Sequence, residues 1–300
     1  MVILLSFLFL LFSSLLTETV LQDLLETDGS DDNDCRLRTA SRACRSLAGI
    51  CGIDEHIDGN ITQINLGVGT FDGSSVSYWL GQLLKMTVSG QSYNFTTVYL
   101  QPSFYHEDQD YSFGLEYSTN EIIFDSLCFF SLGGSLLYSC GAKSEISHCS
   151  FISNSTYEHS LPLFWLEIAR CIFHNVYFQD ISLTSRSALY LPFPKFMTIN
   201  TAQFSSIRLV NDTGSGSAIF CGLEIDSVSL VLKDIVFSNC QCAGTNTTGG
   251  ALSLMLVPGS GMYSYSDVIS TTLSFRGSGM LHTARMCMYR VLLILMMCIC

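Results

Sequence analysis

Three hundred residues are ample for one hydrophobic core, and 26 Asp and Glu against 14 Lys and Arg leave a net charge of −12. Nucleic-acid binding rests on neutralising phosphates with a basic stripe, and the chain has none, so that class of partner is excluded. Only 13% of residues are charged while 48% are apolar, a balance suited to a surface covered by Ser, Thr and Asn.

The chain opens on an apolar run from Val2 to Leu16. The run is short for a membrane span of about 20 residues and suits a secretory signal over 1–17, although no Lys or Arg precedes it. Asp23, Glu26, Asp28, Asp31, Asp32 and Asp34 follow, with Gly29 and Ser30 among them. That stretch reads as a solvated acidic linker over 18–34. It lacks the alternating acidic positions and distal Glu of a calcium loop.

Residues 35–270 read as one repetitive unit. Phe124, Phe151, Phe178, Phe204 and Phe237 are separated by 27, 27, 26 and 33 residues. Ser135, Pro162, Ala188, Ala218 and Ala251 keep step with them, at 27, 26, 30 and 33. A period in the range of about 20–50 residues marks a stacked solenoid. Around each Phe the apolar and polar residues alternate, as in Cys149-Ser150-Phe151, Val176-Tyr177-Phe178 and Ala202-Gln203-Phe204. That is a strand period, and no run in the repeats has the three-and-four spacing of a helix. The reading is therefore all-β: a single-stranded parallel β-helix with coils of 26–33 residues. Its coils would stack at roughly 4.8 Å with the five Phe as an internal ladder. The second column places small residues where the chain turns into its next strand.

Five N-glycosylation acceptor sequences begin at Asn60, Asn94, Asn154, Asn211 and Asn246. The last two fall where the coils lengthen, which predicts exposed loops there.

Phe151-Ile152-Ser153-Asn154 and Gly249-Gly250-Ala251-Leu252 resemble the FxxN and GGA-aliphatic signatures of polymorphic outer-membrane-protein repeats. Phe237-Ser238-Asn239 is one place short of the first signature. The resemblance covers 120–257. It implies a right-handed parallel β-helix displayed at a cell surface, as in adhesins. Cys35 and Cys44, followed by Arg45-Ser46-Leu47, resemble the lead-in before the first coil of such helices.

The tail, 271–300, changes character. It holds Arg276, Arg285 and Arg290, five of the ten Met, and an apolar end from Val291 to Cys300. Ten apolar residues are too few to span a bilayer as a helix. A lipid-anchor signal beginning at Gly277-Ser278-Gly279, a truncated span and a misread gene end are the alternatives. Membrane association is expected through this tail.

Ten of the 13 Cys lie outside the tail, an even number that invites disulfides in a secreted chain. Cys149 falls between Ile122 and Val176 on the inward column, so a buried thiol and a bridge both suit it. Cys240-Gln241-Cys242 lacks the gap of a redox or zinc pair. His148 and His174 precede their Phe by three and four residues and are expected outward on adjacent coils.

Glycosidases need two carboxylates at a set separation, and Asp125, Asp180 and Asp234 fall in three different columns. No nucleophile elbow, phosphate loop or zinc helix occurs. No catalytic, cofactor or metal set is assigned. The expected function is an extracellular or cell-surface, adhesin-like module that binds glycans or surface proteins. A carbohydrate-active lyase or hydrolase, and a fragment of a larger membrane-tethered repeat protein, are the alternatives.

Overall fold

The computed structural model describes residues 22–25, 63–73, 78–80, 85–100, 111–115, 120–154, 156–210, 216–224, 229–243, 250–257 and 267–276. Within them the chain is all strand, in three sheets of thirteen, seven and four strands. Adjacent strands in each sheet run parallel. A parallel neighbour cannot be reached by a hairpin, so the chain must travel around before pairing. Here it travels through the other two sheets. Phe164–Glu167 lies in the seven-stranded sheet, Arg170–Gln179 in the thirteen-stranded one and Ser182–Leu183 in the four-stranded one. Leu189–Phe193, Phe196–Ser205 and Arg208–Leu209 then repeat the order, as do Ile219–Glu224, Ser229–Ser238 and Gln241–Cys242.

The alternation of the sequence becomes alternation of burial. Lys85–Ser89 and Glu121–Asp125 bury every second residue, as one face of a pleated strand requires. In the earlier circuits the large sheet is crossed by two short strands with a break between them. Later circuits fuse these into ten-residue strands. The break and the later bend are the same place. Ser126, His148, Asn175, Thr201 and Asp234 each follow the in-register residues Asp125, Ser147, His174, Asn200 and Lys233. All five have left-handed backbones, with φ between 52° and 60°. Asn and Asp adopt that conformation readily, while β-branched residues resist it.

Just past the bend, Leu127, Cys149, Val176, Ala202 and Ile235 form an inward column, each at most 2% exposed. Two residues further on, Phe129, Phe151, Phe178, Phe204 and Phe237 are in register. Their rings stack at 5.3, 4.6, 4.7 and 5.3 Å between centroids. Phe113 and Phe164 come from the seven-stranded sheet. They meet Phe124 and Phe151 edge to face at 5.2 and 5.1 Å, so the two sheets share one core.

Phe124, expected as the first rung of this ladder, is placed differently. It is fully buried, but it aligns with Val88, Ile146, Phe173, Ile199 and Leu232 on the other side of the bend. Phe129 takes the first rung instead. Both residues point inward because the extra left-handed residue Ser126 between them resets the alternation. The spacing of 27 from Phe124 to Phe151 therefore joins two columns, and the true step from Phe129 to Phe151 is 22 residues. Ile122 moves with Phe124 and joins the column of Met86, Ser144, Cys171, Met197 and Leu230.

The small-residue column is also corrected at two rungs. Leu136 and Leu163 precede Ala188, Ala218 and Ala251 in the hydrogen-bonded series, with Ser135 and Pro162 one residue earlier.

Gln22–Leu25, inside the expected acidic linker, is a strand paired with Gln63–Leu66. Asp267–Arg276 pairs with Ser229–Ser238 and carries regular structure past the expected boundary at 270. The expected signal segment 1–17, the residues beyond 276 and Cys35, Cys44 and Cys51 lie outside the described residues.

Candidate functional site

The outward face of the seven-stranded sheet carries a row of aromatic side chains. Tyr138, Trp165, Tyr190 and Phe220 are in register on four successive strands. Each is half-buried. Tyr138 and Trp165 have ring centroids 6.4 Å apart. Trp165 meets Tyr190 edge to face at 5.1 Å, and Tyr190 stacks on Phe220 at 5.1 Å with planes 16° apart. Parallel pairing in register sets this spacing, because strands repeat at roughly 4.8 Å and identical faces align. Ser253 ends the row on the next strand.

Two local features shape the middle of the row. The register shifts between Trp165 and Glu167 against the strand of Tyr190. Such bulges re-aim side chains and increase twist. Beside Phe220, a Cβ on Gly222 would lie 2.1 Å from the carbonyl oxygen of Pro192, so only glycine allows the two strands to approach there.

Arg186, from the turn before Leu189–Phe193, lies over the row. Its guanidinium carbon is 4.9 Å from the ring centre of Trp165 and 4.4 Å from that of Tyr190. One of its nitrogens donates to the Tyr190 hydroxyl. Arg186 itself is exposed. The Trp165 indole Nε1–H is buried and has no acceptor. The arrangement is an aromatic row with a fixed cation over its centre. Aromatic surfaces with a few fixed polar groups are the usual make-up of recognition sites.

The other singled-out residues lie elsewhere. Asp125 accepts from Ser147 Oγ at 2.7 Å and Ser126 Oγ at 3.1 Å, and pairs with His148 Nδ1 at 3.0 Å. Partial burial pushes this carboxyl up. The hydrogen bonds from His148, Ser147 and Ser126 outweigh that and leave it below the usual Asp value. His148 and His174 are exposed on adjacent circuits and meet edge to face at 5.7 Å. His174 Nδ1 is 3.2 Å from Asn200 Nδ2. Asp234 sits in the bend column and Asp180 at a separate left-handed corner, so the three aspartates are spread out rather than gathered.

Asn94 and Asn154 are exposed. Asn154 begins a turn in which its carbonyl accepts from Tyr157 N at 2.8 Å and its Oδ1 from Thr156 N at 3.1 Å. Asn60, Asn211 and Asn246 lie outside the described residues.

Cys128, Cys149, Cys171 and Cys221 are buried free thiols, so the disulfides invited by an even count do not form at these four. Cys149 donates to the carbonyl of Ser147 at 3.1 Å. Burial pushes the Cys149 thiol far up, and those of Cys171 and Cys221 up to about 12. Cys240 and Cys242 are raised to about 11, also by burial. Thiols held protonated in this way pack as small apolar groups.

His159 is a buried polar residue that sequence reasoning did not single out. It is 0% exposed, in the four-stranded sheet, in register with Leu183, Leu209 and Cys242. Ser153 Oγ donates to Ser131 O and Ser131 Oγ to Gly134 O. With those protons committed, His159 Nε2 donates to Ser153 Oγ at 3.1 Å. Burial lowers the imidazole pKa to about 4.

The aromatic row was hidden by register. Counted from the expected small-residue column, the four rings fall at the third place twice and the second place twice. Counted from Leu136, Leu163, Ala188 and Ala218 they all fall at the second. A one-residue error moves a side chain to the opposite face.

No protein-family model matches the chain, and no curated protein or solved structure is significantly similar to it.

Proposed function

We propose that this protein is a secreted or surface-displayed, right-handed parallel β-helix that binds glycans along its aromatic row, as an adhesin-like module without catalytic activity. The solenoid reading is supported by the fixed order in which the chain visits three parallel sheets. Extracellular display is supported by the apolar opening segment and by the exposed acceptor residues Asn94 and Asn154. The resemblance of Phe151-Ile152-Ser153-Asn154 to surface-protein repeats points the same way.

The observation that carries the binding reading is the row Tyr138–Trp165–Tyr190–Phe220, half-buried and in register over four strands. Tyr190 is stacked on Phe220 and lies under Arg186, so a sugar would meet the row at its ring edges and at the guanidinium rather than face to face. A repeating chain of sugars meets a repeating row of rings at several places at once. Each contact is modest, and a handful of aromatic anchors dominates such binding. The same rings also stiffen the sheet, at about 0.2–1 kcal/mol per cross-strand pair.

The test is retention of the full chain on immobilised polysaccharides, with assay of new chain ends. Retention without new ends is expected. Trp165→Ala should weaken it by about 2 kcal/mol or more. Retention unchanged in the Trp165→Ala and Tyr190→Ala variants would remove the row as the site, and new reducing or unsaturated ends would make the protein an enzyme.

A further inference from the structure

We infer that the glycan on the aromatic row is acidic, with a carboxylate seated on the Arg186 guanidinium where it lies over Trp165 and Tyr190. The inference rests on the glycan reading above and names the ligand class. Arg186 is exposed, its one hydrogen bond to a described residue goes to the Tyr190 hydroxyl, and no carboxylate among the described residues lies within ion-pairing distance of it. Lys143 differs, since its ammonium is already 2.6 Å from Glu121. The remaining guanidinium N–H groups have no acceptor among the described residues.

The centre of the row thus presents several donors and no matching acceptor. The complement is an acceptor-only group with two oxygens in a plane, which is a carboxylate. Arg186 is preorganised for it. Stacking on two rings holds the fork in place, so less side-chain freedom is lost on binding than from a free Arg or a Lys. A neutral sugar can still lie against the ring edges but leaves these donors to water.

Calorimetry with the full chain tests the inference, using a uronic-acid oligosaccharide and its carboxyl-reduced counterpart of equal length. The acidic chain should bind roughly tenfold tighter or more, the size of one charge-assisted hydrogen bond. Arg186→Gln should erase that preference, so that the acidic and the carboxyl-reduced oligosaccharide bind equally. Arg186→Lys should restore part of the preference, because charge returns without the fork. Thermal unfolding of each variant checks that the fold is intact. Equal affinity of the wild type for both oligosaccharides overturns the inference and leaves the glycan reading standing. So does an Arg186→Gln variant that loses both equally. Binding of neither oligosaccharide overturns the acidic ligand and the glycan reading together.

Discussion

Phe151 and Phe178, 27 residues apart in the chain, stack with ring centroids 4.6 Å apart and planes 20° from parallel. Phe164, from the facing sheet, closes on both of them edge-on, at 5.1 and 6.2 Å. Offset stacks along a column and edge contacts across it satisfy the ring quadrupoles in both directions. Phe178 also stacks on Phe204 at 4.7 Å, so it is held above, below and from the side.

Replacing Phe178 with Ala should therefore leave a cavity that the neighbouring rings cannot close. Urea unfolding is expected to show a loss of about 3–5 kcal/mol. A loss below about 0.5 kcal/mol, typical of the surface, would contradict an enclosed ladder.

How much of this the sequence could reveal depended on which features repeat in residue type. The alternation around Phe151, Phe178 and Phe204 is readable because side chains in a strand alternate wherever one face is buried. It led to an all-strand, parallel architecture. The bend column was not readable, because Ser126, His148, Asn175, Thr201 and Asp234 share a backbone conformation and no chemistry. That gap misplaced Phe124, since any Phe two places after an aliphatic residue fits the frame equally well. The aromatic row was lost in the same way, through a one-residue offset at Ser135 and Pro162.

The bend and corner columns offer a stabilising test. Thr201 and Ile168 hold φ of 60° and 52°, which costs a β-branched residue on the order of 1–2 kcal/mol. Adjacent circuits place Asn175 and Asp234 in line with Thr201, and Gly141 in line with Ile168. Thr201→Asn and Ile168→Gly should each raise stability by up to about 1 kcal/mol. Both side chains are exposed, so little packing is lost. A fall in melting temperature for both would contradict the left-handed corners.

His159 makes stability depend on acidity. Its folded pKa of about 4 lies below the ordinary histidine value of 6.5, so the unfolded chain binds the proton more tightly. Folding is then fully supported above pH 6.5, and support is lost as the pH falls from there through 4. The linked loss is about 3 kcal/mol, on the scale of 1.4 kcal/mol per pKa unit. His159→Leu should flatten that part of the profile, because Leu183 and Leu209 already fill the equivalent places and Ser131 and Ser153 keep their own acceptors. Unfolding free energies at several pH values between 4 and 7, compared for wild type and variant, decide it. Parallel curves would place the pH response elsewhere.

The buried thiols make a prediction about reactivity rather than stability. Cys149, Cys171 and Cys221 are at most 1% exposed. Burial holds Cys171 and Cys221 protonated up to about pH 12, with Cys149 raised further still. The thiolate is the nucleophile, so these three should resist maleimide at pH 8 in the folded protein and react fully in denaturant. Mass spectrometry of peptides after labelling reads each residue separately. Rapid labelling of Cys149 without denaturant would contradict its place in the column of Leu127, Val176, Ala202 and Ile235. Cys149→Ala should cost about 1 kcal/mol or more through the small cavity it leaves, since its sulfur fills a rung that no neighbouring strand can otherwise supply.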